Sequence, residues 1–328
     1  MRMSCYARKR FSIALALTFA AMAPRGVTVS KAQQPAGDAA EPSTVRTRTF
    51  RVNGGPDAVA FDGTNIWVAS QASNCVRKLR PKDGAELGKF DVGQRPVALA
   101  FDGDSIWVAN LFDNDVMKLR AADGAVLGTF RVGKQPTALL FDGSSIWVVN
   151  SQSNNVMKLR SGDGLRLGVF HAGPRPMALA YDGANVWVTN NGGNSVTKLR
   201  GSDGETIGAY SVGDRPIGIA FDGECIWVAN FYKSRVTKLW ARDGAILDTY
   251  EVEDGPTGVT FAGGSIWVSN HGAGTISKID PRDGSIAASI PVGIGPSAVT
   301  FDGRCIWVAN SGGNSVLRIS QAGLELKN

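Results

Sequence analysis

Apolar and polar positions repeat along this chain with a period of 40 residues, and each period holds four short apolar runs. In the second period the runs fall at 97–101, 106–110, 116–120 and 127–132, separated by Asp102-Gly103, a polar loop, Asp123-Gly124, and then Gly133 and Pro136. Short runs rich in Val, Ile and aromatic residues, bounded by Asp-Gly and Gly-x-x-Pro, predict β-strands joined by tight turns. We label them a to d within each unit. Run b, as in Ile106-Trp107-Val108-Ala109, is apolar on both faces, the pattern of a strand covered on both sides.

The phrase around run b occurs seven times, with Trp67, Trp107, Trp147, Trp187, Trp227, Trp267 and Trp307 spaced 40 apart. One supersecondary unit is therefore built seven times. Each Trp stands two residues from a small or β-branched residue on the same face, from Ala69 to Ala309, so neighbouring sheets can interdigitate. The expected fold is all-β: a seven-bladed β-propeller of four-stranded antiparallel blades, with the indoles buried between blades. Phe50-Arg51-Val52 matches run d elsewhere (Phe130-Arg131-Val132), and the last unit supplies only runs a, b and c. The N-terminal strand is thus expected to complete the last blade in a 3+1 closure, which leaves no open edge.

Charge changes the picture mainly at the N-terminus. Residues 1–32 carry Arg2, Arg8, Lys9, Arg10, Arg25 and Lys31 and no acid, around an apolar stretch at 11–23 too short to span a bilayer. This reads as a signal peptide, with small residues at Ser30 and Ala32 for cleavage before Gln33. Residues 33–46 read as a disordered leader and 47–328 as the propeller, exported to the periplasm or secreted. The net charge of +6 resides in the signal segment, so the remainder is close to neutral. Neither nucleic acid nor, after cleavage, a membrane is expected as a partner, and a monomer is expected. Cys75, Cys225 and Cys305 have no Cys-x-x-Cys spacing and are expected to be small, mostly buried residues outside any disulfide.

The motifs Ile-Trp-Val-Ala-Asn, Asn-x-Val-x-Lys-Leu and Val-Gly-x-x-Pro, running from Arg48 to Ser320, resemble the YVTN/NHL-type propeller repeats of bacteria. The resemblance implies the fold, and most such exported proteins bind or scaffold. A more distant similarity is to the virginiamycin B (streptogramin B) lyases, which use Mg with Glu and His on one mouth of a similar ring. Their blades carry Glu after Trp-Val-Ala. Here that position holds Ser70, Asn110, Asn150, Asn190, Asn230, Asn270 and Asn310, with no carboxylate in any blade.

Repeated residues read as structure. The strand-c cations (Lys78, Lys118, Lys158, Lys198, Lys238, Lys278 and Arg318) are expected to pair within each blade with the Phe-Asp-Gly aspartates, and Lys278 with Asp280 or another acid. The Asn that ends run b is expected to bond its own b–c turn. A site should show where copies differ, and they differ most in the b–c and d–a loops, which share one face, the top. Phe112, Phe231, Tyr232, Lys233 and Arg235 in b–c segments, with Arg95, Arg175 and Arg215 before the strand-a prolines, form the predicted binding set. The partner class is a small ligand or a protein, and no cofactor is expected. In the catalytic alternative His271 is the base and Glu253 and Asp254 are its acid partners or ligands for Mg.

Overall fold

The computed structural model describes residues 45–320. The segments expected to be a signal peptide (1–32) and a disordered leader (33–46) lie outside these except for residues 45 and 46, of which Arg46 already belongs to a strand; residues 321–328 lie outside as well. Among the described residues 28 strands form seven antiparallel sheets of four. Blade 2 serves as the pattern: β6 (Pro96–Phe101), β7 (Ser105–Asn110), β8 (Asp115–Arg120) and β9 (Val126–Arg131), paired in that order from channel to rim. Blades 1 and 3 to 6 repeat it at the 40-residue step. Blade 7 contains β26 (Pro296–Phe301), β27 (Cys305–Asn310), β28 (Ser315–Ser320) and, on its outer edge, β1 (Arg46–Arg51). Strand β1 pairs antiparallel with β28 from Arg46↔Ser320 to Arg51↔Ser315.

All seven repeat tryptophans are fully buried. Each belongs to a cluster that crosses a blade boundary: Trp67, with Ala58, Ala60 and Ala69, packs on Leu99, Phe101, Ile106 and Val108 of blade 2. The small residues beside the indole let the next sheet approach. In six blades strand d contributes a second ring, blade 6 having Ile290 there, and Trp107 lies 5.3 Å from Phe130. That ring in turn rests on a glycine of the following blade. A Cβ on Gly164 would lie 2.0 Å from Phe130, and its φ of +74° already favours glycine. The Asp-Gly turn is therefore both a turn and a flat surface for the neighbour's aromatic ring. Gly84 takes the same place against Phe50, so the contact also crosses from blade 7 to blade 1.

The indole N–H of a buried Trp needs an acceptor. In six blades it donates to the Phe-Asp-Gly aspartate at 2.7–2.8 Å, from Trp67–Asp62 to Trp307–Asp302. The other carboxylate oxygen accepts two backbone N–H groups of its own a–b turn, as Asp142 does from Ser144 and Ser145 at 2.9 and 2.8 Å. In blade 6, where Ala262 replaces the aspartate, Trp267 donates to the Ala262 carbonyl at 3.2 Å.

This corrects the expected lysine pairing. The aspartates serve the indole and the turn first, and lysine approaches them only in blades 2 and 3 (Lys118–Asp102 3.4 Å, Lys158–Asp142 3.5 Å). The lysines instead lie over the indole faces, 4.8–5.5 Å from the ring centres. Their ammonium groups donate forward into the next blade: Lys78 to the Ala121 carbonyl at 2.7 Å, Lys158 to Gly201 at 2.6 Å, Lys238 to Pro281 at 2.6 Å. Arg318 makes the equivalent bond from blade 7 to Pro81 of blade 1 at 2.7 Å. Asp280, the expected acid for Lys278, is engaged by Arg282, and Lys278 lies over Trp267.

Burial works against the Asp142 charge, but the bonds from Trp147, Ser144 and Ser145 outweigh it and hold the carboxyl below the usual range. A depressed folded-state pKa contributes stability above the unfolded value that is lost as pH falls. Asp142→Ala should therefore cost about 2–3 kcal/mol at neutral pH. The difference from wild type should shrink on acidification, as read by urea denaturation at pH 7 and pH 3.

Candidate functional site

The top face is built from two loops per blade. They are zipped together by backbone bonds: the residue after strand b donates to the carbonyl of the residue before the strand-a proline, as Leu111 does to Arg95 (3.0 Å) and Phe231 to Arg215 (3.1 Å). The next residue donates one position earlier, as Phe112 does to Gln94 (3.3 Å). That pre-proline residue adopts a left-handed conformation, with φ of 50–55° at Arg95, Gln135, Arg175 and Arg215. Non-glycine residues rarely sit there. The conformation is held by an Asn of the preceding blade, whose Oδ1 accepts the N–H at 2.8–3.0 Å: Asn74 for Arg95, Asn154 for Arg175, Asn194 for Arg215. The arginines thus project from a fixed backbone.

Two of them meet an aromatic ring of their own blade. The Arg95 guanidinium lies 5.1 Å from the centre of Phe112 and donates to Gln71 at 3.1 Å. The Arg215 guanidinium lies 4.3 Å from the centre of Tyr232. Both rings are 53% exposed, so each pair presents a cation and an apolar face to solvent. Arg175 faces Gly192 at the same place in blade 4 and has no ring to stack on there.

The rest of the predicted set divides. Phe231 is half-buried, 5.9 Å from Tyr232 and against Gly255, so it supports the loop more than it presents a surface. Lys233 is paired with Asp214 (3.1 Å) and Arg235 with Glu251 (3.0 Å), which weakens the expected cationic field of blade 5. The Asn residues that end strand b are fully buried. Their amides donate across to strand c, as Asn110 does to Asp115 at 2.8 Å and Asn230 to Thr237 at 2.9 Å, so they brace the b–c connection from beneath.

Inside the loops lies the mouth of the central channel, a cavity of about 350 Å³ walled by strand a of all seven blades. The second residue of strand a is Asp57, Val97, Thr137, Met177, Ile217, Thr257 and Ser297 in turn, and all seven line it. His271 lines it as well. Its Nδ1 lies 3.3 Å from the Pro296 carbonyl. The carboxylates expected beside it bond other groups. Glu253 is turned to the hydroxyls of Thr275 and Ser289, and Asp254 lies against Gly272 and Ser234. Among the described residues no three His, Cys, Asp or Glu side chains gather as a metal site. Neither Glu253 nor Asp254 lines the cavity with His271; the acid that does is Asp57. Sequence reasoning missed it, although it is the one carboxylate at its position in seven copies.

Burial raises the Asp57 pKa to about 6, against the opposing pull of Arg95, of His271 and of the Ser297 hydroxyl. A carboxyl whose folded pKa is raised contributes stability below its unfolded value near 3.8, and this is lost as pH rises through about 6. Asp57→Asn should therefore be more stable than wild type at pH 8, by up to roughly 2–3 kcal/mol. The gain should vanish near pH 4, as measured by thermal melts across that range.

The fold has close counterparts. Virginiamycin B lyase from Staphylococcus aureus, solved as the selenomethionine protein, superposes with a TM-score of 0.74 at 16% identity, covering 84% of this chain and 99% of that one. A streptogramin B lyase gives 0.73 at 19%, covering 84% and 98%. The Kuenenia stuttgartiensis hydrazine synthase gives 0.74 at 17%, with the same coverage. At such identities the likeness concerns the fold. No curated protein sequence matches this chain. A family model does match, over residues 72–289, which span most of the propeller from the b–c loop of blade 1 to strand d of blade 6. The chain belongs to the family described as outer membrane protein assembly factor BamB (PQQ_2).

Proposed function

We propose that this propeller is an exported binding or scaffold protein that engages its partner through the top face. The observation that carries this reading is the pair of exposed arginine–aromatic stacks, Arg95 on Phe112 and Arg215 on Tyr232. Each rests on a left-handed backbone fixed by an Asn of the neighbouring blade. Aromatic and arginine side chains dominate binding energy where they are ordered before contact, because little side-chain entropy is then lost. Neither stack is needed to close the ring, whose seams are filled by the indoles. The partner chemistry that suits both stacks is a segment bearing carboxylates beside aromatic or aliphatic groups. The carboxylate meets the guanidinium, and the apolar group covers the ring. The family description, an assembly factor of outer membrane proteins, is in keeping with an exported binding role. So is the basic, apolar N-terminal segment.

The lyase-like alternative has less in its favour. Of its three nominated residues only His271 lines the cavity, and Glu253 is taken up by the hydroxyls of Thr275 and Ser289.

The test uses fluorescently labelled acidic peptides containing Tyr or Phe, titrated into the purified protein. Changing Phe112 and Tyr232 together to Ala should weaken binding at least tenfold, leaving the melting temperature within about 2 °C of wild type. Unchanged peptide affinity in the double variant would refute the top-face reading.

A further inference from the structure

The channel mouth differs in chemistry from the loops around it. Its wall is mostly apolar, with Val97, Met177 and Ile217 among the upper ring. The hydroxyls of that ring are already spent. Thr137 donates to the Met177 carbonyl and Thr257 to Pro296, both at 3.1 Å, and Ser297 donates to the Asp57 carbonyl at 3.0 Å. Asp57 is the sole acid in the lining. It is half-buried, and desolvation is the largest influence on it. Of the groups that face it, Arg95 acts on it through space only, its guanidinium being engaged by Gln71 and Phe112. His271 is turned by its Nδ1 to Pro296, and the Ser297 hydroxyl, which favours the carboxylate, carries no charge. A carboxylate in an apolar cup with no dedicated cation is an incomplete ion pair.

We infer that the channel mouth binds a small organic ammonium ion, with the charged nitrogen at Asp57 and an apolar body against Val97, Met177 and Ile217. The volume is in the range of small-molecule sites. The N–H donors of a primary or secondary amine would restore to the carboxylate the bonds it gives up to burial. An anion would face that carboxylate, and a neutral molecule would leave it unpaired. Neither ring of the exposed stacks lines this cavity, and the Arg215–Tyr232 stack shares no residue with it, so the two assignments can fail independently.

The experiment compares cyclohexylmethylammonium, cyclohexylmethanol and cyclohexanecarboxylate as probes of the full chain, by calorimetry at pH 8. The ammonium ion should bind at least tenfold more tightly than the alcohol, and the carboxylate most weakly. Asp57→Asn should abolish the preference for the ammonium ion, with a melting temperature no lower than wild type showing that the variant folds. Binding of the ammonium ion should weaken as the pH is lowered through about 6, where Asp57 takes up its proton. Changing Tyr232 alone to Ala, which leaves Arg95 on its ring, should leave it unaltered. Equal ammonium affinity in wild type and Asp57→Asn, or tighter binding of the carboxylate than of the ammonium ion, would overturn the assignment.

Discussion

A buried indole that must find an acceptor is the constraint on which the rest of this molecule depends. Seven tryptophans fill the seams between blades, and burying so large a ring is favourable only if its N–H is satisfied. The aspartate of the a–b turn meets that need and orders its own turn with its second oxygen. One side chain therefore couples the local hairpin to the packing between sheets. The lysine over the indole adds a bond to a carbonyl of the following blade, and the glycine of that blade's turn lets the strand-d ring approach. Sheet, turn and seam are specified by the same few residues, which is why the unit can be copied. Blade 6 shows the constraint by exception: without its aspartate, the indole turns to a backbone carbonyl.

Because the seams carry the stability, the top loops are free to vary without loosening. The Asn of one blade fixes the backbone of the next, so even a strained arginine keeps one direction. Variation in sequence thus becomes variation in surface chemistry on an unchanging frame. Blades 2 and 5 carry ordered cation–aromatic pairs, and blade 4 carries an arginine over glycine. The channel beneath them follows another rule. Its ring hydroxyls link blade to blade, and only the residue at 57 brings a carboxylate into it.

Much of this was legible in the sequence. The 40-residue period, the two-faced apolar run b and the small residues beside each Trp dictate the blade and its burial, and the structure agrees to within a residue at most strand ends. The Arg95, Phe112, Arg215 and Tyr232 surface could also be read, because loop residues that break a repeat are visible against it. Contacts between blades could not. Spacing within one unit made lysine and aspartate look like partners, whereas the lysine reaches a carbonyl 43 residues on and the aspartate takes the indole. The same blindness linked His271 to Glu253 and Asp254, its neighbours along the blade. Asp57, far away in sequence, is the acid that shares its cavity. A ring brings together residues that no linear reading sets side by side.

The central claim is that the repeat indoles are buried donors locked to blade-specific acceptors, and hydrogen exchange of the indole N–H groups tests it most directly. In the ¹H–¹⁵N spectrum the seven repeat tryptophans should exchange with deuterium only at the rate of global unfolding. The Trp267 signal should stand apart from the six that donate to carboxylates, and Trp240, which lies outside the repeat position, should exchange quickly. Exchange of the repeat indoles at the rate of Trp240 would contradict the account.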